Sequence, residues 1–127
     1  MTVNPDKYRG TPAYRYVYAE LTLAARYRGS LTYQEVAAMA GLPITGSHMG
    51  REVGLLLGEI SEDEHLAGRP LISALVTNVE GKVTGGFFSL ARQLGLLDGE
   101  DPAAEQRFLE RQRKAIYDYW KRPLPAR

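Results

Sequence analysis

Apolar positions fall into helical rather than strand-like spacing over most of the chain. Tyr14, Val17, Tyr18, Leu21 and Ala25 recur at about 3.6-residue intervals behind Thr11-Pro12, an N-cap followed by proline at the first helical position. The run stops at Gly29, which predicts a first helix over about residues 12–28 with Arg15, Glu20, Arg26 and Arg28 on its other face. In Leu31-Thr32-Tyr33-Gln34-Glu35, the threonine and glutamate have the spacing of a capping box, so a second helix starts at Tyr33. Val36, Ala37 and Ala40 give it a small apolar face, Gly41 suits a left-handed C-cap, and at barely two turns it needs neighbours to persist. A third helix is expected from roughly Ser47 to Ile60, with Met49, Val53, Leu56, Leu57 and Ile60 inward. Gly50, Gly54 and Gly58 repeat every four residues along it and clear a groove where another backbone can approach.

Beyond that point the pattern changes. Ser61-Glu62-Asp63-Glu64 has the form of another capping box, predicting a separate short helical turn ended by Gly68. Leu71 to Thr77 reads as a mostly buried strand, Asn78 to Gly81 as a turn, and Lys82-Val83-Thr84 as a short returning strand, together a β-hairpin. Phe87 to Leu94 forms a further helix ended by Gly95. Asp101-Pro102 then opens a long helix, about 101–121, on which Phe108, Ile116, Tyr119 and Trp120 are expected to dock on the body. Arg107, Arg111, Arg113, Lys114, Lys121 and Arg122 lie mostly outside, interleaved with Glu105, Glu110 and Asp118. Residues 1–10 are polar and turn-prone and are expected to form a loose N-terminal arm.

This order of elements predicts a single α+β domain over 1–127, mostly helical: a winged helix-turn-helix core over 12–95, the 78–84 hairpin as its wing, and the long C-terminal helix. Composition narrows the chemistry more than the fold. A content of 44% hydrophobic and 24% charged residues is that of an ordinary globular chain with a core of its own. The lack of cysteine excludes disulfides, thiolate metal sites and a cysteine nucleophile, and fits a cytoplasmic setting. With no 18-residue apolar run and no signal-peptide pattern, no membrane partner is expected. A formal net charge of +1 says nothing globally, so a nucleic-acid surface must come from local clustering.

Residues 31–85, through LTYQEVAAMAGLP and the later Arg51-Glu52-Val53-Gly54, resemble the C-terminal domain of the alkylguanine-DNA alkyltransferases and the cysteine-free alkyltransferase-like proteins. That resemblance implies a winged helix-turn-helix that binds the minor groove of duplex DNA and extrudes a base. It implies that Tyr33 presses on the phosphate of the extruded nucleotide and that Arg51 fills the stack it leaves. Where the family carries Pro-Cys-His-Arg-Val this chain has Pro70-Leu71-Ile72-Ser73-Ala74, so alkyl transfer by the family mechanism is excluded.

The sequence therefore points to a non-catalytic duplex DNA-binding protein, acting in damage recognition or regulation, with no cofactor, metal or catalytic residue expected. The candidate contacts are Tyr33, Ser47, Arg51, Asn78 and Lys82. One alternative is a winged-helix protein-interaction module, in which the acidic 59–65 segment repels DNA and apolar helix faces recruit a protein partner. The other is a metal-dependent hydrolase, since Glu59, Glu62, Asp63, Glu64 and His65 combine hard oxygen ligands with a proton shuttle. Oligomeric state is left open by the sequence.

Overall fold

In the computed structural model, which describes residues 2–121, the element order follows the capping signals closely. Helix α1 spans Pro12–Arg26, with Thr11 Oγ1 accepting the Tyr14 amide at 3.2 Å, and it buries Val17, Leu21 and Ala25 completely. Strand β1, Leu31–Thr32, leads directly into α2, Tyr33–Met39. The capping box is present: Thr32 Oγ1 accepts the Glu35 amide at 3.1 Å, and Glu35 Oε1 accepts the Thr32 amide at 2.8 Å. Gly41, at φ +73°, ends this helix in the left-handed region that its Cβ-free backbone tolerates. Burial of Val36 and Ala37 in the common core holds so short a helix in place.

Helix α3 runs from Gly46 to Leu66, six residues past the expected end. The Ser61–Glu64 stretch does not cap a new turn. Ser61 Oγ is committed to Ser73, donating to its Oγ at 2.7 Å and accepting its amide at 3.2 Å, so no cap is available and the helix continues.

The expected hairpin is also absent. Ile72–Leu75 is a 3-10 turn, and only Val76–Thr77 is a strand, β2. It pairs in parallel with β1, Leu31 opposite Val76 and Thr32 opposite Thr77. The physical reason is that the backbone of 71–77 finds partners among side chains. Gln112 Oε1 accepts the Leu71 amide at 2.8 Å, Arg113 Nε donates to Ala74 O at 3.1 Å, and Ser61 takes the Ser73 amide. Residues 78–84 close on themselves instead of laddering: Asn78 Oδ1 accepts the amides of Glu80 and Lys82, and the Asn78 amide donates to Lys82 O at 2.8 Å. The fold is α+β and mostly helical, without the hairpin wing.

Helices α4, Gly85–Gln93, and α5, Pro102–Trp120, complete the described chain. Phe108, Leu109 and Ile116 of α5 are buried and Trp120 is half-buried, whereas Tyr119, expected inward, is 55% exposed. Positions 108, 112, 116 and 120 lie on one face at four-residue spacing, and 119 falls off that face. Lys121 is exposed, and Arg122 lies outside the described residues. No helix among the described residues is long and apolar enough to cross a membrane.

Candidate nucleic-acid interface and an adjoining cleft

Helix α3 carries two different environments. Its N-terminal half exposes Ser47, His48, Gly50, Arg51 and Gly54. The Arg51 side chain is 70% exposed; its guanidinium lies 3.3 Å from His48 Nδ1 and 3.9 Å from a Glu52 oxygen, a loose contact. Glu52 itself turns away and is buried.

The C-terminal half presents its carboxylates to the N-terminal segment. Glu59, fully buried, accepts three consecutive amides, those of Lys7 at 3.1 Å, Tyr8 at 2.9 Å and Arg9 at 2.8 Å. Glu62 takes the amides of Val3 and Asn4, the Asn4 side-chain amide and the Arg9 guanidinium at 2.7 Å. Asp63 pairs with Arg9 at 3.0 Å and accepts the Tyr14 hydroxyl, while Glu52 receives Lys7 Nζ and the Tyr8 hydroxyl. The arm expected to be loose is therefore tied along α3. Its attachment rests on charge-assisted hydrogen bonds between residues some 44–59 positions apart rather than on apolar burial.

These contacts set the ionisation of the row. Burial raises the Glu62 carboxyl, but the amides of Val3 and Asn4 and the Arg9 guanidinium outweigh it and hold the group below its ordinary value. Hydrogen bonds from Lys7 and then Tyr8 likewise lower Glu52. Burial, with Glu52 beside it, pushes the Tyr8 hydroxyl up to about 12. Burial would lower Arg9, yet the three carboxylates around it raise its pKa, so it stays a cation. Glu64 accepts the Tyr18 hydroxyl and the Arg69 guanidinium through Oε1, both at 2.9 Å, its buried Oε2 having no partner among the described residues, so each carboxylate of the hydrolase alternative is engaged by amides, hydroxyls or cations. Among the described residues no group of three or more His, Cys, Asp or Glu side chains is arranged to hold a metal.

A cleft of about 130 Å³ opens where α2, α3, α4 and the arm meet. Its polar lining comes from Asn4, Tyr33, Ser73, Thr84, Ser89 and Gln93, its apolar lining from Leu57, Phe87 and Leu90, and no charged side chain borders it. Tyr33 reaches it from the first turn of α2 and is fixed there by the Thr84 amide, which donates to its hydroxyl at 2.9 Å. Gly54 and Gly58 form the α3 wall. Of the three evenly spaced glycines only Gly58 is closely approached, and by a side chain rather than a backbone: Asn4 Oδ1 lies 2.6 Å from where a Cβ would stand, whereas nothing lies within 4 Å at Gly50 or Gly54.

The five sequence-predicted contacts fare unequally. Tyr33 is in the cleft wall. Arg51 stands one turn before Gly54 and Ser47 one turn before Arg51, so both lie along the same exposed side of α3 leading to the cleft. Lys82 is exposed two residues before Thr84 on the opposite rim. Asn78 is diverted: its side-chain oxygen is consumed by the turn it organises, which leaves it a shaping residue. Asn4, Ser73, Ser89 and Gln93 escaped sequence reasoning, because no local pattern announces that residues so distant share one wall.

Compared with known proteins, the chain matches no family model, no curated protein and no solved structure.

Proposed function

We propose that the protein is a non-catalytic duplex DNA-binding protein, with the exposed side of α3 from Ser47 to Gly54 as its contact, Arg51 as its principal cation and Lys82 steadying the backbone across the cleft. One observation carries this reading: the carboxylates of α3 are sorted away from that side. Glu52, Glu59, Glu62 and Glu64 are all buried, and the N-terminal arm covers the first three. The acidic run that would repel phosphates is covered and hydrogen-bonded by the protein's own amides, hydroxyls and cations, while Arg51 remains open to water with only a loose 3.9 Å contact to Glu52. The likeness of residues 31–85 to the alkyltransferase family supports the same face and the same two residues, Tyr33 and Arg51. A cleft bordered by Tyr33 beside an exposed arginine suits recognition that unstacks a base, where a planar cation recovers part of the few kcal/mol that unstacking costs.

The alternative, a protein-interaction module, draws on α1 rather than α3. Tyr16 and Leu23, seven residues apart on one face, are 53% and 47% exposed.

Fluorescence anisotropy with plain and alkylguanine-containing duplexes at two salt concentrations, wild type beside Arg51→Ala, decides between the readings. Salt-sensitive binding that weakens in the variant supports DNA as the ligand. Preference for the lesion identifies damage recognition, and indifference to it identifies regulation. Absence of binding at micromolar protein in low salt defeats the DNA reading in favour of a protein partner.

A further inference from the structure

We infer that the C-terminal half of α5, together with Arg28 from the end of α1, is a second contact surface, one that takes the phosphodiester backbone of a nucleic acid. Arg111, Lys114, Asp118 and Lys121 follow at three- and four-residue spacing along α5 and its C-cap, so they share one stripe, and all four are exposed. The Tyr117 hydroxyl donates to Gly29 O at 3.1 Å and fastens the end of α1 beside this stripe. Lys114 Nζ binds Asp118 at 2.6 Å, and Lys121 and Arg28 act on it with their charges, so three cations share one carboxylate. Arg111 makes a fourth cation against that acid. Glu110, one turn before Lys114 and engaged by the Gln106 side-chain amide at 3.2 Å, reduces the positive surplus without reversing it.

Arg28 is the residue whose presence needs explaining. At φ +56° it is the one described non-glycine residue in the left-handed region. The end of α1 demands that geometry, since the Gly29 amide closes the helix on Ala24 O at 2.7 Å, and glycine is the residue that takes such a position without strain. An arginine there crowds its Cβ against the following carbonyl. Its guanidinium makes no hydrogen bond or ion pair among the described residues that would offset the cost. Strain of this kind persists where the side chain has a use.

The make-up of the surface selects among polyanions. From residue 111 to 121 a helix rises about 15 Å, the axial span of about four phosphates of one strand. The stripe holds no large apolar side chain of the kind that anchors a protein partner. Nor does it suit a lipid surface, because the apolar face of α5, with Phe108, Leu109 and Ile116, is already buried in the core. Cations repeated along an exposed helix match a repeating backbone, whose source is a single strand or a duplex. The inference does not rest on the contact proposed for α3.

The test is fluorescence anisotropy of a labelled oligothymidylate and of a labelled duplex at two salt concentrations, set beside thermal unfolding of the same full-length variants. Arg28→Gly is expected to raise Tm by about 2–4 °C as the strain is released. It should also weaken binding about fivefold and lower the dependence of log affinity on log salt by about 0.7–0.9. Asp118→Asn should tighten binding about threefold, and the probe that responds, single strand or duplex, names the source of the backbone. Arg51→Ala keeps the two surfaces apart. Binding weakened by Arg28→Gly alone supports this surface and removes α3 from the contact; binding weakened by Arg51→Ala alone overturns the inference and leaves the reading of α3 intact. Poly-glutamate that displaces the probe as well as unlabelled oligothymidylate does assigns the surface to an acidic protein and overturns the inference. A lower Tm in Arg28→Gly, unchanged affinity in both folded variants, or no binding of either probe at micromolar protein in low salt overturns it too.

Discussion

The two halves of α3 share one helix and one sequence run, yet they use charge in opposite ways. From Gly46 to Gly54 the side facing solvent carries Ser47, His48, Gly50, Arg51 and Gly54, while Glu52 and Val53 turn inward. From Leu55 onward four acidic residues are drawn inward or beneath the arm, each answered by a donor from elsewhere in the chain. Acidity in a sequence therefore does not locate acidity on a surface. Covered carboxylates act as anchors for a segment that has little apolar surface of its own to bury, and the open half owes its freedom from negative charge to that covering.

The comparison breaks most visibly at Glu59. Replacing it with alanine removes the acceptor of three amides, and since hydrogen bonds to a charged group contribute about 1.5–3 kcal/mol each before the freed amides regain water, a loss of about 2–4 kcal/mol is expected in urea unfolding. Hydrogen exchange should show Lys7, Tyr8 and Arg9 losing protection together while the α3 amides near Arg51 keep theirs. A variant as stable as the parent would mean that the arm adds nothing to the fold.

Removing residues 2–9 asks whether the two halves depend on each other. Truncation uncovers Glu52, Glu59, Glu62 and part of Asp63 on the helix that carries Arg51. Affinity for duplex in low salt should fall about tenfold, or ~1.4 kcal/mol, with helical circular dichroism retained. Unchanged affinity in a folded truncation would separate the arm from the contact surface.

Acid weakens only the covered half. The folded chain holds Glu62 and Glu52 below their ordinary values, whereas the unfolded chain takes up protons near about pH 4.3. Below that point the unfolded state binds more protons, so the stability these groups contribute is complete above about 4.3 and is lost as pH falls through their lower folded values. Arm amides should lose exchange protection in that acid window before α1 and α5 do. In Glu62→Gln, which has no proton to take up there, the acid-dependent loss should be smaller.

How far the sequence carries the reader follows the range of the interactions. Helix starts at Thr11-Pro12, Thr32 with Glu35, and Asp101-Pro102 were legible, because a cap is made within three residues of itself. The apolar faces of α1 and α2 were legible for the same local reason. The hairpin misled, because Leu71–Thr77 is apolar enough for a strand, while its geometry is decided by Ser61, Gln112 and Arg113 from distant elements. At the candidate site, the resemblance named Tyr33 and Arg51 as expected contacts, and of the three evenly spaced glycines only Gly58 meets a close neighbour. Nothing near Asn4 hints that it meets Gly58, since that contact spans 54 residues.

The smallest expected change in stability belongs to the open half, and it is informative for that reason. Arg51 buries little and has only a loose contact with Glu52, so Arg51→Ala should move the unfolding free energy by no more than about 0.5 kcal/mol in either direction. The same substitution should weaken duplex binding about fivefold, ~1 kcal/mol, and lower the dependence of log affinity on log salt by about one, the signature of one lost phosphate contact. A covered carboxylate is expected to do the reverse, costing stability first and binding only through the arm. If Arg51→Ala instead unfolds the protein while leaving its salt slope untouched, the arginine is a structural group, and the division of α3 into an anchoring half and a contacting half does not hold.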